Sequence, residues 1–244
     1  FTDEGVFAVT LTVSDQAGVT VSQTTNVTVS NVVPVISGYS IPSGPEGSVL
    51  TFAATIVDPG NDTISAVWTL GDGTTLTGAT VTHAYVDEGT FAVSLAVDDG
   101  DGGTASISGT AAAFNVAPTI DALTGNSTGP EGVALSWTAT ITDPGTSDVI
   151  SYAWSFGDGA TATGGPTQSH SYIGVGSYTV VLTVDDGDGG SNSALLTVTI
   201  ANGIPLITSM TTTNGDEGQS LAFTATATDP SNELLTYTWD FGDG

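Results

Sequence analysis

The sequence contains no lysine and no arginine, against 26 Asp plus Glu, which gives a formal net charge of −26 over 244 residues. Without a cation to meet phosphates, nucleic-acid binding is excluded in practice, and so is attraction to anionic membrane surfaces. No Lys or Arg ion pair can form within the chain. The carboxylates must be hydrated, capped by backbone N–H groups or neutralised by metal ions, because self-repulsion at this charge density is felt in the folded state. Cysteine is also missing, so no disulfide supports the fold; that suits an extracellular bacterial protein without fixing a compartment. No apolar run reaches transmembrane length, so no membrane insertion is expected. Residue 1 is Phe and no leader segment is visible, which reads as a piece of a longer or processed chain.

What is present is dominated by Thr, Ser, Val, Ala and Gly, a mixture suited to strands and turns. One string organises the chain. Tyr237-Thr238-Trp239-Asp240-Phe241-Gly242-Asp243-Gly244 occurs earlier as Tyr152 to Gly159 and as Ala66 to Gly73, with the tryptophans 86 and 85 residues apart. A fixed period of this size marks tandem domains, each large enough for a modest core.

Three strand types recur. Phe7, Val9, Leu11 and Val13 alternate with Ala8, Thr10 and Thr12; the pattern returns at Phe91–Val97 and Tyr178–Val184. A second strand carries Leu50, Phe52, Ala54 and Ile56, then Leu135, Trp137, Ala139 and Ile141, then Leu221, Phe223, Ala225 and Ala227. The third carries Trp68, Trp154 and Trp239, the last flanked by Leu235, Tyr237 and Phe241. Period two with apolar residues on one face means half-buried strands. Pro-Glu-Gly, Asp-Pro, Gly-Asp-Gly and Asp-Asp-Gly-Asp-Gly-Gly turns punctuate them. No window has a helical period, so the expectation is all-β: tandem immunoglobulin-like β-sandwich domains arranged end to end. The boundaries fall at short apolar junctions, giving the C-terminal part of a domain at 1–31, complete domains at 32–115 and 116–202, and an N-terminal part at 203–244. Junctions of this kind are not flexible linkers and predict a rod, in which a strand of about ten residues spans ~33 Å. The two partial units lack only Thr74–Ala84 of a full repeat between them. Each alone would expose core and bare strand edges, so completion by the same polypeptide or by a neighbouring subunit, head to tail, is expected.

Taken together, Trp-x-Phe-Gly-Asp-Gly, His83-Ala84-Tyr85 and His170-Ser171-Tyr172, the Gly-x-Tyr/Phe-x-Val-x-Leu-x-Val strand and the Asp/Gly turn after it resemble the polycystic kidney disease (PKD) repeat. The resemblance covers the whole chain. It implies a PKD-type immunoglobulin-like sandwich of an extracellular or cell-surface protein of prokaryotic type, acting as a spacer, an adhesive module or a substrate-surface binder. Some members bind calcium near the start of the domain. Leu70 replaces the Phe of the motif in one copy, and Thr69 and Ser155 stand where Asp240 matches the family's Asp; that Asp is not expected to be a required ligand.

In such a topology Asp58 and Asp62 share a pole with Asp98, Asp99 and Asp101, beside Asn31; in the next domain Asp143 and Asp148 share it with Asp185, Asp186 and Asp188, beside Asn115. Converging carboxylates with an amide carbonyl match the six to eight oxygens of a calcium site. Asp-Gly turn chemistry alone accounts for the same residues, and the sequence leaves both readings open. The opposite pole carries Glu46, Asp72, Asp87 and Glu88, then Glu131 and Asp158, where calcium between domains would stiffen a hinge. His83 and His170 share one repeat position and are read as locally packed or hydrogen-bonded; Trp68, Trp137, Trp154 and Trp239 are read as core. Asn26, Asn61 and Asn126 open glycosylation sequons, and Thr-rich strand faces such as Thr10 with Thr12 and Thr138 with Thr140 allow O-glycans. A catalytic constellation is singular, whereas almost every polar feature here recurs with the repeat, so no enzyme is expected. The functional expectation is a structural module of an extracellular rod or fibre. The alternative is an adhesin, or a carbohydrate-binding accessory or spacer region of a secreted hydrolase.

Overall fold

Strict alternation sends Phe52, Trp68, Leu95 and Val97 to one side of their strands and Thr51, Val67, Ser94 and Ala96 to the other, and a computed structural model shows the first set buried. The structure describes residues 1–60 and 62–243. Chain contacts divide it into two units, Phe1–Val116 with Pro144–Ser147, and Ala117–Asp143 with Asp148–Gly244.

The first unit begins with β1 (Gly5–Ser14) and β2 (Thr20–Val29), an antiparallel hairpin in which Gly5 faces Val29 and Ser14 faces Thr20. Next come β3 (Val35–Ser40), β4 (Gly44–Pro45), β5 (Leu50–Val57), β6 (Ser65–Thr69), β7 (Thr75–Thr77), β8 (Thr80–His83), β9 (Gly89–Asp98) and β10 (Thr104–Phe114). They form two sheets, β3-β5-β8 and β4-β10-β9-β6-β7. The pairing of β4 with β10 is parallel, Ala113 opposite Gly44, and the other pairings are antiparallel. The inner faces close over Phe52, Trp68, Leu70, Tyr85, Val93, Leu95 and Val97, two facing sheets sharing one core.

The second unit repeats the plan with β11 (Thr119–Gly125), β12 (Thr128–Pro130), β13 (Ala134–Thr142), β14 (Ser151–Ser155), β15 (Thr161–Thr163), β16 (Thr167–Ser171), β17 (Gly176–Asp185) and β18 (Ser191–Ala201). Its sheets are β11-β13-β16 and β12-β18-β17-β14-β15, closed over Trp137, Trp154, Phe156, Tyr172, Val180, Leu182 and Val184. A final pair, β19 (Leu206–Thr212) and β20 (Phe223–Thr228), follows. The first strand of each repeat carries a bulge at the same place, between Ile36 and Gly38, Ile120 and Ala122, and Ile207 and Ser209. A bulge conserved through three copies is part of the design of the strand. There is no helix among the described residues.

The expected third strand of the last repeat does not form. Residues 232–243 carry no strand, and Trp239 and Phe241 are 38% and 60% exposed. In the complete sandwiches the equivalent strands β6 and β14 hydrogen-bond to segments that follow them, β7 with β9 and β15 with β17. Residues 232–243 have no such partner strands among the described residues. The apolar face of β1 is open for the same reason, with Leu11 67% exposed.

Candidate metal centres

The Asp-rich turn after β9 is fixed by strand parity. Val93, Leu95 and Val97 point inward, so the next inward position is Asp99, which is buried, while Asp98 and Asp101 are exposed. Asp99 Oδ1 accepts hydrogen bonds from the backbone N–H of Asp101 (2.9 Å) and Gly103 (2.8 Å), and its Oδ2 accepts one from Asn31 Nδ2 (2.8 Å). The Asn31 bond, with the two backbone donors, holds the Asp99 carboxyl below the ordinary carboxylate range. Asp98 Oδ1 only closes the turn, accepting from Gly100 N–H at 2.8 Å. A Cβ on Gly103 would run into the Asp99 carboxylate and come within 3.0 Å of Val33 Cα, so glycine is required there for space.

The turn after β17 is built identically. Asp186 is buried and accepts from Asp188 and Gly190 N–H, both at 2.9 Å; Asp185 accepts from Gly187 N–H at 3.0 Å. A Cβ on Gly190 would meet the Asp186 carboxylate.

Within this frame the sequence-derived ligand set divides. Carboxylate oxygens of Asp58, Asp62 and Asp99 lie within 4.8 Å of one another, as do those of Asp143, Asp148 and Asp186. Asp98, Asp101, Asp185 and Asp188 belong to neither group: the Asp98 and Asp185 carboxylates close the turns, and Asp101 and Asp188 give them a backbone N–H. Asn31 presents its amide N–H to the group and Asn115 holds the equivalent, half-buried place after β10. Asp58 Oδ2 and Asp62 Oδ2 are shielded from solvent and have no hydrogen-bond partner. Those two free oxygens, hard and anionic, fit a calcium-type cation; Asp99, already accepting three hydrogen bonds, and Asn31, which offers an N–H rather than its carbonyl, would have to exchange those bonds to join them. Asp62 is pushed above its ordinary value by desolvation, then by the charges of Asp58, Asp3 and Asp101, as expected for carboxylates crowded without a counter-charge.

Asp62 also lies within 4.8 Å of Asp3 and Glu4, which precede β1. A cleft of about 110 Å³ sits there, lined by Phe1, Asp3, Glu4, Asn31, Pro59 and Asp62 among others. The ligand set read from the sequence omits Asp3 and Glu4. The available signal is the alignment of Phe1–Gly5 with Tyr85–Gly89, which puts them at the pole that meets the next domain's Asp-Pro loop.

At the other end of each sandwich the histidines have a local role. His83 Nε2 is 2.7 Å from Asp72 Oδ2, and His170 Nε2 is 2.7 Å from Asp158 Oδ2. Burial raises the Asp72 carboxyl, but hydrogen bonds from Thr74 and His83 outweigh it and hold the group low; His170 and Ala160 do the same for Asp158. Tyr85 and Tyr172 donate their hydroxyls to the Leu70 and Phe156 carbonyls at 2.8 and 2.9 Å, fastening the segment before β9 and β17 to the end of the tryptophan strand. Burial pushes both phenols up to about 12.

Of the sequon asparagines, Asn26 is exposed on β2. Asn126 is exposed too, its Oδ1 accepting from Ser136 N–H at 2.9 Å. Asn61 lies outside the described residues. Trp68, Trp137 and Trp154 are each at most 2% exposed, which removes them as a sugar platform. No helix among the described residues is long and apolar enough to cross a membrane.

A family model described as "PKD domain" matches residues 31–113, 115–200 and 202–244. A microbial collagenase of Vibrio alginolyticus is 38% identical over 110 residues, covering 44% of this chain and 12% of the relative; the chain therefore spans about an eighth of that protein. The PKD domain of an M14-like peptidase from a Thermoplasmatales archaeon is 30% identical, with 36% of this chain and 98% of that one covered and a TM-score of 0.33. The PKD1 domain of the Vibrio cholerae metalloprotease PrtV is 32% identical, covering 35% and 98%, with a TM-score of 0.29.

Proposed function

Because the chain belongs to the PKD domain family, we propose that it is a non-catalytic spacing module of an extracellular or cell-surface protein, its tandem repeats joined by short carboxylate-rich connections that take calcium. The observation that carries this reading lies in the first unit. Asn31, in the short connection between β2 and β3, bonds to buried Asp99 at 2.8 Å, and Asp3 and Glu4 before β1 come within 4.8 Å of Asp62. A spacer that transmits length needs its connections held by such contacts rather than by a free linker. Carboxylates gathered in a chain without Lys or Arg supply the reason for a cation. Asp58 and Asp62 would hold it with Asp99, and Asp143 and Asp148 with Asp186.

A second reading is favoured by the collagenase of Vibrio alginolyticus, 38% identical over 110 residues: the chain is the accessory or spacer region of a secreted hydrolase, with contact to carbohydrate or another polymer substrate as its further role. N-linked sugar at Asn26, Asn61 or Asn126 belongs to the same extracellular setting.

Thermal unfolding with calcium and with EDTA tests the calcium reading. The melting temperature rises with calcium, since a ligand bound only by the folded state stabilises by mass action, and Asp58→Asn/Asp62→Asn removes part of the rise. Identical melting curves in calcium and in EDTA would sink it.

A further inference from the structure

The turn between β4 and β5 buries a glutamate. Glu46 is 2% exposed. Its place is set by the backbone: β4 pairs in parallel with the end of β10, Glu46 N–H donates to the Phe114 carbonyl at 3.0 Å, and Gly47 N–H donates to the Tyr85 carbonyl at 2.7 Å. Glu46 Oε1 then accepts the Val116 N–H at 2.7 Å, tying the turn to the segment that leaves the domain. Glu46 Oε2 is buried with no hydrogen-bond partner. Glu131 repeats the arrangement: it is 1% exposed, its Oε1 accepts the Gly203 N–H at 3.0 Å, and its Oε2 is buried without a partner.

The surroundings of the two glutamates differ. In the first sandwich, carboxylate oxygens of Glu46, Asp87 and Glu88 lie within 4.8 Å of one another. In the second, the positions of Asp87 and Glu88 are held by Gly174 and Val175. A buried carboxylate oxygen is satisfied by a hydrogen-bond donor, a proton or a cation. Two further carboxylates beside it make a proton-only solution worse, since they add negative charge rather than a donor, and the chain has no Lys or Arg to neutralise them. Three carboxylates, one with a desolvated oxygen, form an oxygen-rich site for a hard divalent ion completed by water.

We propose that Glu46, Asp87 and Glu88 form a second class of divalent-cation site, present in the first complete sandwich and lost from the second through Gly174 and Val175. It rests on the reading that this protein takes calcium, yet it uses none of the residues of the Asp58–Asp62–Asp99 group. It breaks the repeat. Two domains with the same fold and the same buried glutamate differ in ion content because of two side chains.

Equilibrium dialysis of the full chain against calcium counts the ions. Asp87→Asn/Glu88→Gln lowers the count by one. Gly174→Asp/Val175→Glu, which gives Glu131 the missing carboxylates, raises it by one. Gly174 lies outside the left-handed region, and a Cβ there stands 3.3 Å from the Tyr178 hydroxyl, a contact a small shift relieves. An unchanged count in the first variant, with its near-UV circular dichroism intact, overturns the proposal. Should that variant lose its near-UV signal, the graft decides, and an unchanged count there overturns it equally. Failure of the Asp58, Asp62 and Asp99 site shows separately, as an unchanged count in Asp58→Asn/Asp62→Asn.

Discussion

Asn31 Nδ2 donates a hydrogen bond to Asp99 Oδ2 at 2.8 Å across 68 positions of sequence, joining the segment between β2 and β3 to the buried aspartate of the β9–β10 turn. Asp99 accepts three bonds, while its neighbour Asp98 accepts one from Gly100 N–H. Asp99→Ala therefore leaves Asn31 and two backbone N–H groups to find other partners and lowers the melting temperature of the first sandwich; Asp98→Ala has a much smaller effect. Asn31→Ala combined with Asp99→Ala costs less than the sum of the two, because they share a bond. Differential scanning calorimetry of the four proteins measures this.

Gly103→Ala destabilises through crowding. Its Cβ would strike the Asp99 carboxylate and approach Val33 Cα to 3.0 Å. The expected loss is about 1–3 kcal/mol, typical of overpacking. Combining it with Asp99→Ala relieves part of that loss, so a chemical-denaturation cycle shows the double variant losing less than the sum of the two single losses. Gly190→Ala behaves the same way in the second unit, against Asp186 and Ala117.

The β-sandwich, its turns and its tryptophan core were legible because each pattern is written two or three times, so chance alternation is averaged out. Parity carries further than the strand itself: the inward series Val93, Leu95, Val97 continues to Asp99 and leaves Asp98 outside. Composition alone cannot separate those two adjacent aspartates, which is why all three Asp of the turn entered the ligand set. The depth of Glu46 was not legible. It depends on the parallel pairing of Gly44 with Ala113, a contact between segments about 70 positions apart. Trp239 misled in the opposite direction. Its string matches Trp68 and Trp154, but a strand forms only with neighbours to bond to, and its equivalents draw theirs from later segments.

Acid lability follows from four low carboxyls, Asp72, Asp99, Asp158 and Asp229. A carboxyl held lower in the folded state contributes stability above its unfolded value, roughly pH 4, and that contribution is lost as pH falls through the folded value. Stability is thus flat near neutrality and falls below about pH 4. His83→Gln removes one donor from Asp72 and softens the acid limb. Urea denaturation at a series of pH values checks both.

At the alkaline end, the phenols of Tyr85 and Tyr172 stand at about 12. A raised folded value means the protonated hydroxyl stabilises fully below the unfolded value of about 10, and that stability is lost as pH rises through the folded value. Ultraviolet titration should show two phenols ionising late. Tyr85→Phe, which removes the bond to the Leu70 carbonyl, costs about 1 kcal/mol, or roughly 4–8 °C in the melting temperature of a domain this size.

If calcium fastens the carboxylate-rich connections between repeats as proposed, removing it loosens the chain. Small-angle X-ray scattering of the chain in calcium and in chelator tests it most directly. In calcium the expected result is a longer maximum dimension and a narrower distance distribution, with Asp58→Asn/Asp62→Asn resembling the chelated protein. Profiles that superimpose in calcium and chelator, or a flexible chain in both, would contradict it.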